Sequence, residues 1–169
     1  MAPALNEELL KGNNCFGCGP DNPDGLRIRI FRDAANANRL VGTWRTRETL
    51  GGFPQIVHGG LQFTALDCMA GWVMFVLRQP GKMMPLTKNA TTQFLKPARL
   101  GIELALSAEV LRDAKTPREA FMIRGELRDP EGLLLTQIDF DYVLVPQGMF
   151  MKTVGLEQMP DSYRRHFGD

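Results

Sequence analysis

One long apolar segment places the strongest constraint on how this chain folds. From Gly59 to about Arg78 the apolar side chains recur at the spacing of an α-helix, and Pro80 and Gly81 follow directly. Proline cannot continue the helical hydrogen bonds and glycine accepts the conformation of a helix end, so the helix is predicted to stop there. Its apolar run, Leu61 to Leu77, contains Asp67 and falls short of the about 20 residues of a membrane span. The pattern predicts one buried helix.

The rest of the pattern is typical of β-strands. Two segments with a period of two precede the helix and are predicted to form a hairpin, and three or four follow it. The Asp129-Pro130-Glu131-Gly132 turn is predicted to join the last two strands. The order predicts an α+β fold, with one helix on the face of a curved antiparallel sheet. The predicted strands are 26–33, 39–46, 87–96, 102–112, 119–128 and 133–145.

Length and charge limit the function classes. The 169 residues suffice for one domain, and a net charge of +1 is too small to hold a nucleic acid or an anionic membrane surface. No apolar signal core precedes Lys11, so we expect a cytoplasmic location, and three cysteines argue against a disulfide framework. We predict an N-terminal extension with a Cys-x-x-Cys turn (1–25), one domain (26–146) and a tail that packs on the domain or on a partner (147–169).

The start of the helix is the most informative site for chemistry. In Ile56-Val57-His58-Gly59-Gly60 the two glycines leave the first helical amides unobstructed, which suits a developing oxyanion. Asp67 lies about two turns further on among apolar residues. A buried carboxylate needs water or a hydrogen-bonded partner. The alternative is an Asp67 that faces solvent on an exposed stripe.

The helix is apolar nearly all round, so one sheet face does not cover it. Asp67 and Gly71 are predicted on the face opposite Cys68 and Trp72. A second subunit or a substrate tunnel is therefore expected on the Asp67 side.

Several motifs together resemble a known family. They are the His58-Gly59-Gly60 string with Asp67 after Leu66, the segments Cys15–Gly19, Asn22–Leu26 and Gly52–Pro54, and the strand from Thr87 to Pro97. Together they resemble the hot-dog-fold acyl-CoA thioesterases of the PaaI type. The resemblance implies a long central helix wrapped by a curved antiparallel sheet of five to six strands.

The resemblance also implies a catalytic assignment. Asp67 would act as general base on water or as nucleophile toward the thioester carbonyl, and the amide of Gly59 would polarise that carbonyl. Thr87 would orient the attacking water, and His58 would hold the substrate or the loop. Such sites form across a homodimer, with the Gly59 loop of one subunit facing Asp67 and Thr87 of the other. Pairing of dimers into tetramers stays open, and coenzyme A enters only as part of the substrate, with no cofactor.

Substrate contacts are expected at three places. Near the loop, Gly60 and Gln55 are candidates; Gln55 could replace the Asn or Gln that many relatives carry six residues before the histidine, where this chain has Gly52. The acyl group is expected to contact Phe63, Ala70, Gly71 and Met74, although these residues could equally be part of the core. The phosphates of coenzyme A are expected to contact Lys96, Arg99 and Arg118, although these residues could equally face water.

No metal site is expected from the sequence. Cys15 and Cys18 form a Cys-x-x-Cys pair, but a structural zinc site usually needs four ligands. Cys68 and His166 are interpreted as badly placed to complete it, and Cys68 as a small core residue.

Hydrolysis of an acyl-CoA thioester is the leading functional hypothesis. The alternative is a non-catalytic module that binds or senses acyl-CoA, although such regulators usually add a DNA-binding segment. A hot-dog dehydratase is disfavoured because His58 occupies the thioesterase position and the other histidine lies in the tail. Acyl transfer to an acceptor other than water also stays open.

Overall fold

The predicted long helix is present and lies on a single large sheet. The computed structural model describes residues 3–116, 119–161 and 163–164. In chain order the elements are α1 (Leu5–Glu8), β1 (Arg29–Arg32), β2 (Arg39–Arg45), β3 (Gly51–Phe53), β4 (Ile56–Val57), α2 (Gly59–Val73), β5 (Met83–Phe94), β6 (Glu103–Arg112), β7 (Phe121–Arg128), β8 (Leu134–Pro146) and α3 (Gln147–Val154).

The large sheet has six antiparallel strands in the part of the chain that is described, in the order β1-β2-β6-β7-β8-β5. Both predicted hairpins are confirmed, since β1 pairs with β2 and β7 pairs with β8. At the second turn the amide of Gly132 donates to the carbonyl oxygen of Asp129 over 3.0 Å. The α+β arrangement predicted from the sequence is therefore correct.

Helix α2 packs closely on the centre of the sheet. The helix side chains at this contact are fully buried, as is Phe140 of β8; they are Leu66, Met69 and Val73. A Cβ atom at Gly125 of β7 would lie 3.2 Å from the Cβ of Leu66, so the absence of a side chain there lets the helix approach the sheet. This contact fixes which face of the helix is turned inward.

The helix continues through one π-helical turn, Met74–Arg78, and ends at Gln79, which has a left-handed φ of 43°. By length and composition alone, Gly59–Arg78 could also cross a membrane, with a mean hydropathy of 1.4. Half of its most apolar window is buried inside the domain. The segment is the core helix that the sequence predicted.

Two strand starts differ from the prediction by three residues or more, and one short hairpin was not predicted. Strand β5 begins at Met83, because Met83 to Leu86 pair with the end of β8. Strand β1 begins at Arg29, because the amides of Leu26 and Ile28 instead donate to carbonyls of the N-terminal segment. The short β3–β4 hairpin was not predicted, since its two or three residues per strand are too few to show a period.

The N-terminal segment is tied to the sheet by a buried asparagine. The side-chain amide of Asn6 donates to the carbonyl oxygens of Cys18 and Ile28, and its oxygen accepts from the amide of Ile30. These three hydrogen bonds hold residues near Cys18 against strand β1. The loop that carries Cys15 and Cys18 is thereby brought to helix α2.

Candidate functional site

The carboxylate of Asp67 has two hydroxyl partners. Oδ1 accepts a hydrogen bond from Thr87 Oγ1 at 2.6 Å, and the hydroxyl of Tyr142 lies 3.1 Å from Oδ1 and 2.9 Å from the carbonyl oxygen of Asp67. Thr87 belongs to β5 and Tyr142 to β8, which face each other directly in the register of the sheet. Asp67 is half-buried among apolar residues. The two hydroxyl groups are the hydrogen-bonded partners that a carboxylate needs in such a setting.

The sequence did not single out Tyr142 as a site residue. Burial raises the pKa of its hydroxyl, and the nearby negative charge of Asp67 raises it further. The phenol therefore stays protonated and acts as a donor toward Asp67. The period of two in the last strand places Tyr142 on its inward face. Because a buried tyrosine hydroxyl usually finds a hydrogen-bond partner, this position could have marked Tyr142 as a site residue.

The remaining oxygen of the carboxylate is free for chemistry. Among the described residues no hydrogen bond reaches Asp67 Oδ2. A cavity of about 260 Å³ adjoins this group, with Thr87, Tyr142 and Gly71 in its lining. Two larger cavities, of about 450 and 530 Å³, contain none of the predicted site residues. The smaller cavity is the candidate site because it holds Asp67 together with Thr87, its hydrogen-bond partner, and both are predicted site residues.

One predicted feature of helix α2 is wrong. Asp67 and Gly71 do not lie opposite Cys68 and Trp72, since all four residues line the same cavity. Consecutive residues of an α-helix are about 100° apart, so the two pairs form adjoining stripes.

The first turn of α2 is arranged around His58. This residue caps the helix, and its Nδ1 accepts from the amide of Gly60 at 3.0 Å. An accepting Nδ1 means that in the neutral ring the proton is on Nε2. Within the described chain no hydrogen-bond partner is found for the amide of Gly59, one of the donors that a helix start leaves unpaired. The ring of Phe94 lies beside Gly59.

Gly59 and Asp67 are too far apart to act on one carbonyl within a single chain. They are separated by eight residues of the same helix, which corresponds to about 12 Å at a rise of about 1.5 Å per residue. The amide and the carboxylate of one chain therefore belong to two different places on the surface.

Gly52 occupies the position at which many hot-dog thioesterases are expected to carry an asparagine or glutamine, and this structure has no room for such a side chain. A Cβ atom there would lie 2.8 Å from Cδ2 of His58, so an asparagine or glutamine would displace the histidine ring. Gln55 is exposed in the tip of the β3–β4 hairpin, with a φ of 65°, and its carbonyl oxygen accepts from the amide of Leu100. Gln55 therefore lies close in the chain to the Gly59 loop, on the hairpin that leads into it.

The structure separates the four residues predicted to line the acyl pocket. Gly71 lines the cavity beside Asp67. Ala70 and Met74 are fully buried in the core and are not among the residues that line this cavity. Phe63 is half-buried and packs edge-on against Phe140, with ring centroids 5.5 Å apart. Helical spacing to Asp67 did not distinguish the sheet-facing stripe from the cavity-facing one.

The predicted phosphate ligands lie at the Gly59 end of the molecule. Lys96 and Arg99 are exposed and line a groove of about 400 Å³ that also contains Asp129 and Glu131. Arg99 pairs with Ile56, just before the helix start. Thr87 and Lys96 are separated by nine residues, so this groove lies on the order of 25–30 Å along the strand from the Asp67 cavity. Residue 118, the third predicted cation (Arg118), lies outside the described residues.

The three cysteines form a group next to Asp67. Their sulfur atoms all lie within 4.8 Å of one another, and Cys15 Sγ is 3.7 Å from Cys68 Sγ. The expectation that Cys68 is badly placed relative to the Cys-x-x-Cys pair is therefore wrong, because the N-terminal segment folds back onto helix α2. Hydrogen bonds from Cys18 and Cys68 lower the pKa of the Cys15 thiol, and Cys15 raises the pKa of the other two.

Comparison with known proteins identifies the architecture. No family model matches the chain, and no curated protein matches it. Among solved structures it is similar to a Streptococcus pneumoniae hypothetical thioesterase with coenzyme A, at 19% identity and a TM-score of 0.60, covering 71% of this chain and 87% of that one. The chain has the hot-dog fold.

Two further hot-dog structures are similar to it. Escherichia coli PaaI, from the phenylacetic acid degradation operon, has 18% identity and a TM-score of 0.61, covering 71% of this chain and 80% of PaaI. A Streptococcus mutans protein bound to acetyl-CoA has 15% identity and a TM-score of 0.60, covering 70% of this chain and 89% of that one. The pneumococcal protein was also solved as an aspartate-to-alanine and as a threonine-to-alanine variant. The resemblance to hot-dog thioesterases is thus confirmed in the fold.

Proposed function

We propose that the chain hydrolyses acyl-CoA thioesters to a free acid and coenzyme A. The observation that carries the proposal is the half-buried Asp67 carboxylate, which accepts hydrogen bonds from Thr87 and Tyr142 on one oxygen and lines a cavity. Hot-dog proteins of similar structure are named thioesterases or bind coenzyme A and acetyl-CoA. An aspartate and a threonine, the residue types replaced in the pneumococcal variants, are paired in this cavity.

In the proposed reaction Asp67 acts as a general base. Water next to Oδ2 loses a proton to the carboxylate as its oxygen attacks the thioester carbonyl carbon. The resulting oxyanion accepts a hydrogen bond from the amide of Gly59, at the positive end of the helix dipole. When the intermediate collapses, the C–S bond breaks and the thiolate takes the proton from Asp67. Thr87 and Tyr142 hold the Asp67 carboxyl group in one orientation during these steps.

The site needs two copies of the chain. Gly59 and Asp67 are about 12 Å apart along one helix, so the amide must come from a second subunit. Phe53 and Phe94 are 70% and 58% exposed near the Gly59 loop, which suits a surface that a partner covers. Lys96 and Arg99 lie at the same end and would bind the phosphates of coenzyme A. A homodimer, a cytoplasmic location and the absence of a cofactor belong to the same proposal.

The test is thiol release from short, medium, long and aromatic acyl-CoA substrates. We expect hydrolysis by the parent protein, and a fall in kcat of about 100-fold or more for Asp67→Asn, since general base catalysis typically contributes 10²–10⁴-fold. Asp24→Asn is the matched control, because Asp24 is an exposed acid away from the cavity.

Two results would count against the proposal. Equal turnover by the parent and Asp67→Asn would remove Asp67 from the mechanism. If no substrate releases thiol while acyl-CoA still raises the melting temperature, the chain is a binding module and not a hydrolase.

A further inference from the structure

The cysteine group is not used by the proposed hydrolysis. Cys15 and Cys18 come from the N-terminal segment and Cys68 from helix α2, one residue after Asp67. The segment and the helix bring three sulfur atoms to within 4.8 Å of one another. Thiolates are the ligands that Zn²⁺ and other thiophilic cations prefer.

The spacing of the sulfur atoms fits a tetrahedral ion. Zinc binds thiolates at about 2.3 Å, so two sulfurs on a tetrahedral zinc are about 3.8 Å apart. Cys15 Sγ and Cys68 Sγ are 3.7 Å apart. This is a non-bonded distance, far longer than the about 2.05 Å of a disulfide. A disulfide would also use only two of the three sulfurs.

The loop that carries two of the cysteines is held in place by its backbone. The amide of Leu26 donates to the carbonyl oxygen of Phe16 at 2.7 Å, and the amide of Gly19 donates to that of Cys15 at 2.9 Å. Asn6 donates to the carbonyl oxygen of Cys18 at 2.8 Å. The backbone that carries Cys15 and Cys18 is therefore held in place without an ion.

Glycine is required where this loop meets helix α2. A Cβ atom at Gly17 would lie 2.3 Å from Cys68 Sγ, so any side chain would push the third sulfur away from the other two. A Cβ atom at Gly19 would lie 2.5 Å from backbone atoms of Asn13 and Cys15. The closeness of the three sulfurs depends on these two residues.

Polar groups around Cys18 suit a thiolate. Trp72 Nε1 donates to Cys18 Sγ at 3.2 Å, and Asn13 Nδ2 lies 3.8 Å from the same sulfur. The amides of Gly17 and Cys18 donate to the sulfur of Cys15. Donors of this kind orient metal ligands and stabilise their negative charge.

We propose that Cys15, Cys18 and Cys68 bind one Zn²⁺ ion, with a water molecule from the adjoining cavity as the fourth ligand. Binding releases three thiol protons and leaves three thiolates on the metal. The ion joins the N-terminal segment to the turn of α2 that carries Asp67. It would thus fix the position of the candidate base without taking part in hydrolysis.

Cobalt binding to the reduced 169-residue chain is the direct test. We expect one equivalent of Co²⁺ to produce thiolate-to-cobalt absorption in the near ultraviolet and tetrahedral bands in the visible, and one equivalent of Zn²⁺ to remove both. Zn²⁺ should also raise the melting temperature, because it binds only the folded chain tightly. Cys15→Ser and Cys68→Ser should each weaken binding by roughly tenfold or more and lose the near-ultraviolet intensity of one thiolate.

His58→Asn is the matched control, because it removes a possible metal ligand that lies outside the cysteine group, and it should bind Co²⁺ like the parent. If Cys68→Ser, which changes a residue of helix α2, does not fold, Cys15→Ser in the N-terminal loop still tests the proposal. Absence of stoichiometric binding to the reduced parent would overturn the proposal, and so would equal binding by the serine variants. If the reduced chain binds no metal and mild oxidation removes two thiols, the group is a redox pair.

Discussion

At the level of single residues, the central feature is the way in which the Asp67 carboxylate is held. Thr87 and Tyr142 both lie within hydrogen-bond distance of Asp67 Oδ1, and no hydrogen bond from the described part of the chain reaches Oδ2. Two donors on one oxygen hold the carboxylate in one orientation at the edge of the cavity.

Removing the threonine hydroxyl should slow catalysis without unfolding the protein. For Thr87→Val we expect kcat to fall by about 10- to 100-fold, because a hydrogen bond to a charged group contributes about 1.5–3 kcal/mol. Thr87→Ser keeps the donor and should retain most of the activity, as should Thr91→Val on the same strand. Equal activity of the valine and serine variants at position 87 would show that the hydroxyl does not position Asp67.

The raised pKa of Tyr142 predicts a loss of stability at high pH. The folded pKa lies above the unfolded value of about 10, so the stabilisation is fully present below about pH 10 and is lost as the pH rises toward the folded pKa. Denaturant unfolding of the parent should therefore show a free energy that falls between about pH 10 and pH 12. Tyr142→Phe should fall less steeply, while Tyr163, whose pKa burial raises to about 12, contributes to both. Parallel curves would contradict the assignment.

The sequence singled out Asp67 and the glycines at the start of α2, and the family resemblance added Thr87, because each belongs to a local motif. It did not predict Tyr142 or the position of Cys68 beside Cys15. Those contacts join residues 75 and 53 positions apart, and they depend on sheet register and on the path of the N-terminal segment. The catalytic roles of Asp67 and Thr87 stay predictions.

At the level of elements, helix α2 packs in the core and also carries the candidate base, Asp67, and the candidate oxyanion donor, the amide of Gly59. Its sheet-facing stripe is buried, whereas Asp67 and Gly71 border the cavity. The elements with a clear period, α2 and the long strands, could be predicted closely from sequence. The β3–β4 hairpin could not, because its strands are too short, and neither could the extension of β5, which depends on pairing with β8.

The contact of α2 with β7 makes a separate prediction about stability. Gly125→Ala should lower the free energy of unfolding by about 1–3 kcal/mol, because the new Cβ meets Leu66 at 3.2 Å and the ring of Phe140 at 3.3 Å. Gly148→Ala in α3 is the control, since nothing lies within 4 Å of its Cβ position and alanine favours a helix. Urea unfolding measures both, and a neutral Gly125→Ala would show that the helix can move away at little cost.

At the level of the whole molecule, the candidate groups lie in two separate places on one subunit. Asp67, Thr87 and Tyr142 lie around one cavity, and Gly59, Lys96 and Arg99 lie around the start of α2. In the proposed mechanism neither set suffices alone. We expect a symmetric dimer to bring the Gly59 end of one copy to the Asp67 cavity of the other, which would complete two identical sites.

Gly59→Pro provides a variant of the second half-site. Proline removes the amide donor, yet it is favoured at the first position of a helix, and His58 has an extended ψ of 131° that a following proline accepts. We expect kcat to fall about 10²- to 10³-fold, as for loss of one oxyanion donor. Gly59→Ala introduces the same Cβ beside Phe94 but keeps the amide, so it should lose much less activity.

The most direct test of the account is complementation between Asp67→Asn and Gly59→Pro. The two variants are coexpressed with different tags, and the heterodimer is purified and assayed for thiol release. One of its two sites then combines an intact Asp67 with an intact Gly59 amide, so the heterodimer should recover about half of the parent activity. A heterodimer no more active than its inactive parents would contradict an active site shared between two copies of the chain.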